Sequence, residues 1–170
     1  MTAQIEYPLE QIIKVKQRRV ENQEKVVQEK RVALQKEEEK LTQREAERDK
    51  AKKHQMDKLT QLRAEMDHGT TTDKIQQMKN YLNVAKEKVK IEEKKVKEQK
   101  DQVDLAKKAL QVAIDELRIK RQEVDKLQVH KKDWTKEMRK ELEIIEGREQ
   151  DDIGSVVFAI QQRLRGKPKH

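Results

Sequence analysis

The sequence predicts an all-α protein: a long two-helix antiparallel coiled-coil hairpin with a C-terminal helical overhang. Three observations predict it. Apolar residues recur every seven positions at Ile13, Val20, Val27, Leu34 and Leu41. They recur again at Ile75, Leu82, Val89, Val96, Val103, Leu110, Leu117 and Val124. One polar stretch, Asp67-His68-Gly69-Thr70-Thr71-Thr72-Asp73, divides the two runs. A seven-residue repeat holds one narrow seam toward a partner helix, and a short turn between two such helices folds one onto the other.

Composition agrees. Charged residues are 44% of the chain and hydrophobic ones 33%, which suits a seam two helices wide better than a globular core. With 2% aromatics and four glycines, sheets are disfavoured. Both prolines, Pro8 and Pro168, stand outside the repeat, so no ring interrupts the helices. Highly charged chains are often disordered. Here the apolar residues are periodic and the polar ones are strong helix formers. Acid-first pairs such as Glu21/Lys25 and Glu93/Lys97 add i,i+4 support.

The whole chain, residues 1–170, reads as a single coiled-coil domain. Helix one is expected over about 8–67, with Pro8 in its first turn, where a missing N–H costs nothing. Its second core column is expected at Gln17, Glu24, Arg31, Glu38, Glu45, Lys52, Leu59 and Met66. The turn takes about 68–72, with Gly69 as the C-terminal cap. Asp73 and Gln76 read as a reciprocal cap for helix two, over about 73–146. Its second column is Met78, Ala85, Glu92, Gln99, Ala106, Ala113, Lys120, Leu127 and Trp134. Pairing about the turn places residue i near residue 141 − i, giving paired arms of roughly 85–90 Å. A weaker helical tail, about 150–165, follows Gly147. It carries an apolar stripe, Ile153, Val156, Val157, Ile160 and Leu164, with no partner in the first arm. Such a stripe meets another molecule or folds back on the base of the hairpin.

Chemistry is sparse. There is no cysteine, one serine and no glycine-rich phosphate loop, and the four histidines share no metal-ligand spacing. The expectation is a protein that is not an enzyme and takes no cofactor or metal. No long apolar run suggests a membrane span or a Sec-type signal, so the cytoplasm is the expected location. The formal charge is +8. Two basic clusters stand out: Lys14, Lys16, Arg18 and Arg19, and then Arg163, Arg165, Lys167 and Lys169. Charge runs are usually solvated faces; the alternative is docking on an acidic surface. Nucleic acid is not expected, because no stacking aromatics interleave the bases.

Particular residues point to a family. Tyr7-Pro8-Leu9-Glu10, followed by Val15-Lys16-Gln17-Arg18-Arg19-Val20-Glu21 and Glu24-Lys25-Val26-Val27, resembles the opening of YscO-type proteins of type III secretion systems. So do Arg44-Glu45-Ala46-Glu47-Arg48-Asp49-Lys50, the 67–73 turn, and His130-Lys131-Lys132-Asp133-Trp134-Thr135-Lys136-Glu137, in the manner of chlamydial members. Asn22-Gln23 departs from the pattern, where the family more often has a small residue before the Glu-Lys. YscO proteins are similar to flagellar FliJ and to the gamma stalk of rotary ATP synthases. The resemblance implies a non-enzymatic central stalk, monomeric and cytoplasmic, at the base of the secretion apparatus. Its open end would enter the hexameric secretion ATPase, and its turn would face the cytoplasmic domain of the export gate. Some members also bind export chaperones. Candidate ATPase contacts are Lys14, Lys16, Arg18, Arg19, Arg163 and Arg165. By location near the turn, candidate gate contacts are Met78, Asn80, Tyr81 and Leu82. The competing readings are a structural or adaptor coiled coil that dimerises and a basic nucleic-acid-binding rod.

Overall fold

The computed structural model describes residues 6–166. It has two helices, α1 (Glu10–His68) and α2 (Thr72–Arg165), and no strand among the described residues. They form the two-helix hairpin that the heptads predict.

α1 begins two residues later than expected. Pro8 and Leu9 lie in a turn closed by the Glu10 N–H donating to the Tyr7 carbonyl at 3.1 Å. Gly69 ends α1 as predicted, with φ at +80°, where an L side chain would be strained. Its N–H donates to the Met66 carbonyl at 3.3 Å. The cap of α2 differs from expectation. The Thr71 hydroxyl oxygen accepts the Lys74 N–H at 3.4 Å, which makes Thr71 the capping residue. Asp73 sits inside the first turn, where its charge favours the positive helix end. The Gln76 amide donates instead to Asn80 at 3.3 Å.

α2 runs unbroken through 146–150, so the tail is not a separate helix. A glycine in a helix interior costs about 1 kcal/mol relative to alanine. Gly147 alone cannot stop a helix already propagating through Met138, Arg139, Lys140, Glu141 and Leu142.

The chain divides into two compact units. Unit 2 comprises Glu21–Arg118. Here α2 supplies both expected columns: Leu82, Val89, Val96, Val103 and Leu117 in one, Ala85, Glu92 and Ala113 in the other, all buried. α1 is different. Its first column, with Val27 and Leu62, is as predicted. Its second column is Gln23, Glu37, Arg44, Ala51, Lys58 and Glu65, one residue before the expected one. Gln23 and Ala51 are buried, whereas Glu24, Lys52 and Met66 are exposed. Both strands of the seam therefore use the same three-then-four spacing.

Because that column is polar, the seam is stitched by hydrogen bonds as well as by packing. The Gln23 amide donates to the Ala113 carbonyl and to Glu116, both at 3.1 Å. The Gln99 amide donates to the Glu37 carbonyl at 3.1 Å and to its carboxylate at 2.6 Å. Lys52–Glu93 at 3.0 Å and Lys74–Glu65 at 2.9 Å flank the seam. The bonds from Lys40 and Gln99 hold the Glu37 carboxyl below its ordinary value, against a smaller opposing effect of burial. Glu92 is buried, and only one carboxylate oxygen is paired, with Lys95 at 2.9 Å. The other has no hydrogen-bond partner.

Unit 1 comprises Met1–Val20 and Ile119–His170. Tyr7, Ile13 and Val124 are buried in it. Glu10–Lys131 and Lys16–Glu123, both at 2.6 Å, tie the two stretches together antiparallel. Beyond the reach of α1, α2 loses its partner: every described residue from 148 onward is exposed. The apolar stripe of the tail does not fold back onto the base.

Candidate functional interface

The N-terminal motif and the Trp134 segment meet in unit 1. The Tyr7 hydroxyl lies 2.6 Å from Nδ1 of His130. The Tyr7 ring meets Trp134 edge-on with centroids 5.4 Å apart, and lies tilted against His130 at 5.7 Å. The turn at Pro8 and Leu9 folds Tyr7 inward, and Glu10 then reaches Lys131. Five residues of the two motifs, Tyr7, Glu10, His130, Lys131 and Trp134, thus form one clasp. Sequence reasoning did not name this contact, although the register i to 141 − i places residue 7 opposite residue 134.

The basic candidates separate. Lys14, Arg18 and Arg19 are exposed on α1. Lys16 is half-buried and engaged by Glu123. Its hydrogen bond is the main cause holding the Glu123 carboxyl below the ordinary value, with its charge next and Arg19 and Lys126 adding less. Lys16 therefore acts first as a seam residue. Arg163 and Arg165 are exposed, but they do not join the α1 cluster. Arg163 lies forty residues along α2 from Glu123, roughly 60 Å at 1.5 Å per residue.

In unit 2, the candidates near the turn also sort. Leu82 is 7% exposed and Met78 is half-buried, so both pack in the seam. Asn80 is exposed and accepts from Gln76. Tyr81 is 60% exposed, so it and Asn80 are the accessible candidates. Val84, one turn on, is exposed as well. It starts a further heptad column, Val84, Ile91, Leu105 and Val112, interrupted by Glu98, each of these apolar residues more than half exposed. The spacing was visible in the sequence two residues after the Leu82 column and was not singled out.

Among the described residues no group of three or more His, Cys, Asp or Glu side chains could hold a metal ion. Among the described residues, no helix is long and apolar enough to cross a membrane either.

The YscO-like family profile matches residues 4–164. Among solved structures, the chain is similar to CT670 from Chlamydia trachomatis, described there as a YscO homolog. The two share 44% identity and a TM-score of 0.89, over 94% of this chain and 98% of that one. No curated protein matches. A match over nearly the whole chain, on a hairpin clasped by the very motifs that carry the resemblance, establishes that this chain belongs to the YscO-like family of type III secretion proteins.

Proposed function

We propose that the protein is a non-enzymatic central stalk of its secretion system, monomeric and cytoplasmic at the base of the apparatus. Its unit 1 end enters the pore of the hexameric secretion ATPase. Its turn faces the cytoplasmic domain of the export gate, and its surface escorts export chaperones. Family membership over residues 4–164 is the observation that carries the reading. The physical logic is asymmetry. A two-helix rod in a six-fold pore meets the subunits unequally and biases their nucleotide states. Contacts that must form and break as nucleotide turns over are polar, and Lys14, Arg18 and Arg19 are exposed to make them. Tyr81 with Val84 is the surface offered to the gate.

One observation favours a second reading, a coiled-coil adaptor that dimerises: the exposed Val84, Ile91, Leu105 and Val112 column is spaced to receive another helix. A pull-down from the source cell separates the two. The stalk reading expects the secretion ATPase in the catch, released as salt rises. Recovery of a stable homodimer without the ATPase would favour the adaptor.

A further inference from the structure

We infer that the α2 tail, from Ile153 to Arg165, is a binding site for an anionic lipid surface. Ile153, Val156, Val157, Ile160 and Leu164 are 46–67% exposed and follow one face of the helix. Arg163 and Arg165 project about 80–120° to either side of that stripe, at 3.6 residues per turn. Phe158, one heptad before Arg165, stands about 140° round the helix from the stripe. Between Ile153 and Arg165 there is no acidic residue; Glu149, Asp151 and Asp152 all precede it. An apolar face with arginines at its edges and no acid fits the boundary between lipid headgroups and acyl chains. There the side chains of the stripe sink and the guanidiniums reach back to phosphate.

The stripe does not continue the hairpin seam. Ile153, Val157, Ile160 and Leu164 keep a four-three-four spacing of their own, so it is the flanking charge and not the register that selects lipid. The seam columns of α2 continue through Met138 and Ile145 to Asp152, and through Glu141 and Arg148 to Ser155. A helix extending that seam would meet charge, while the stripe has moved one residue off it. The stripe also lacks support in water. It contains Gly154 and four β-branched residues, and it is exposed along its whole length. An apolar surface supplies what the fold does not.

The test is co-sedimentation of the full chain with phosphatidylcholine vesicles and with vesicles containing about 30% phosphatidylglycerol. Binding should favour the anionic vesicles by on the order of tenfold or more and weaken with salt. Val157→Ser/Ile160→Ser keeps the net charge and should lose that binding, with the melting temperature of the hairpin unchanged. Arg163→Gln/Arg165→Gln should lose most of it. Equal binding to both vesicles would overturn the inference. So would binding that survives the serine variant, which would assign it to the basic rod alone. A lowered melting temperature in that variant would place the stripe in the fold and also overturn it. Tail-dependent oligomers without lipid binding would do the same.

Discussion

The Tyr7 hydroxyl sits 2.6 Å from His130 Nδ1, with Trp134 packed edge-on against the same ring. Residues 123 positions apart in sequence thereby close the end of the hairpin at which the chain begins. Buried aromatic pairs contribute about 0.5–1.5 kcal/mol beyond their burial. Tyr7→Phe should cost about 1 kcal/mol, one hydrogen bond. Tyr7→Ala should cost about 3–5 kcal/mol locally. Trp134 is the one tryptophan, so its emission reports on the clasp. Tyr7→Ala should shift it to the red while far-UV circular dichroism barely changes. Unchanged emission would mean that Trp134 does not sense Tyr7.

Neighbouring positions on α2 should respond oppositely to charge. Val103 is 4% exposed and Leu105 is 58% exposed. Val103→Asp buries a carboxylate without a partner and should cost about 3–5 kcal/mol. Leu105→Asp should stay within about 0.5 kcal/mol. Urea unfolding of both variants checks the register, and equal midpoints would refute it.

Glu92 is a polar residue in a core column, with one orphaned carboxylate oxygen. Replacing such a group with a packed apolar side chain is commonly stabilising, by about 1–4 kcal/mol. Glu92→Leu should raise the melting temperature. A fall would show that the Lys95 pair outweighs the burial of the charge.

Acid should weaken unit 1 through Glu123. Its carboxyl is held below the ordinary value of 4.5 by Lys16, so the folded state binds that proton less readily than the unfolded chain. The stabilisation is present above that value and is lost as pH falls through the lower, folded one. Glu123→Gln should therefore lower thermal stability at pH 7 in low salt, and the difference from the unmodified chain should shrink as pH falls below 4.5. The group is exposed, so salt should shrink the effect.

Much of this architecture was legible because α2 marks both of its columns with Leu, Val and Ala. The second column of α1 was not. Gln23, Glu37, Arg44 and Lys58 are polar, and so are their neighbours Glu24, Glu38 and Glu45. Leu59 and Met66 drew the expected column one residue too far, and only Ala51 marks the true one. Gly69 was legible because few residues accept positive φ. Thr71 was not, because Thr70, Thr71, Thr72 and Asp73 can all cap a helix. At the candidate interface, the sequence located the basic residues but not their partners. Lys16 differs from Lys14 only in facing Glu123.

The most direct test of the stalk reading is the rate of the secretion ATPase with matched concentrations of two charge-reversal variants. Lys14→Glu/Arg18→Glu/Arg19→Glu alters exposed residues of unit 1, and Lys94→Glu/Lys97→Glu/Lys107→Glu alters exposed residues of unit 2. Both should keep their helix content. The account predicts that the first abolishes stimulation of the ATPase and that the second leaves it near the unmodified level. Stimulation retained by the first and lost by the second would contradict it.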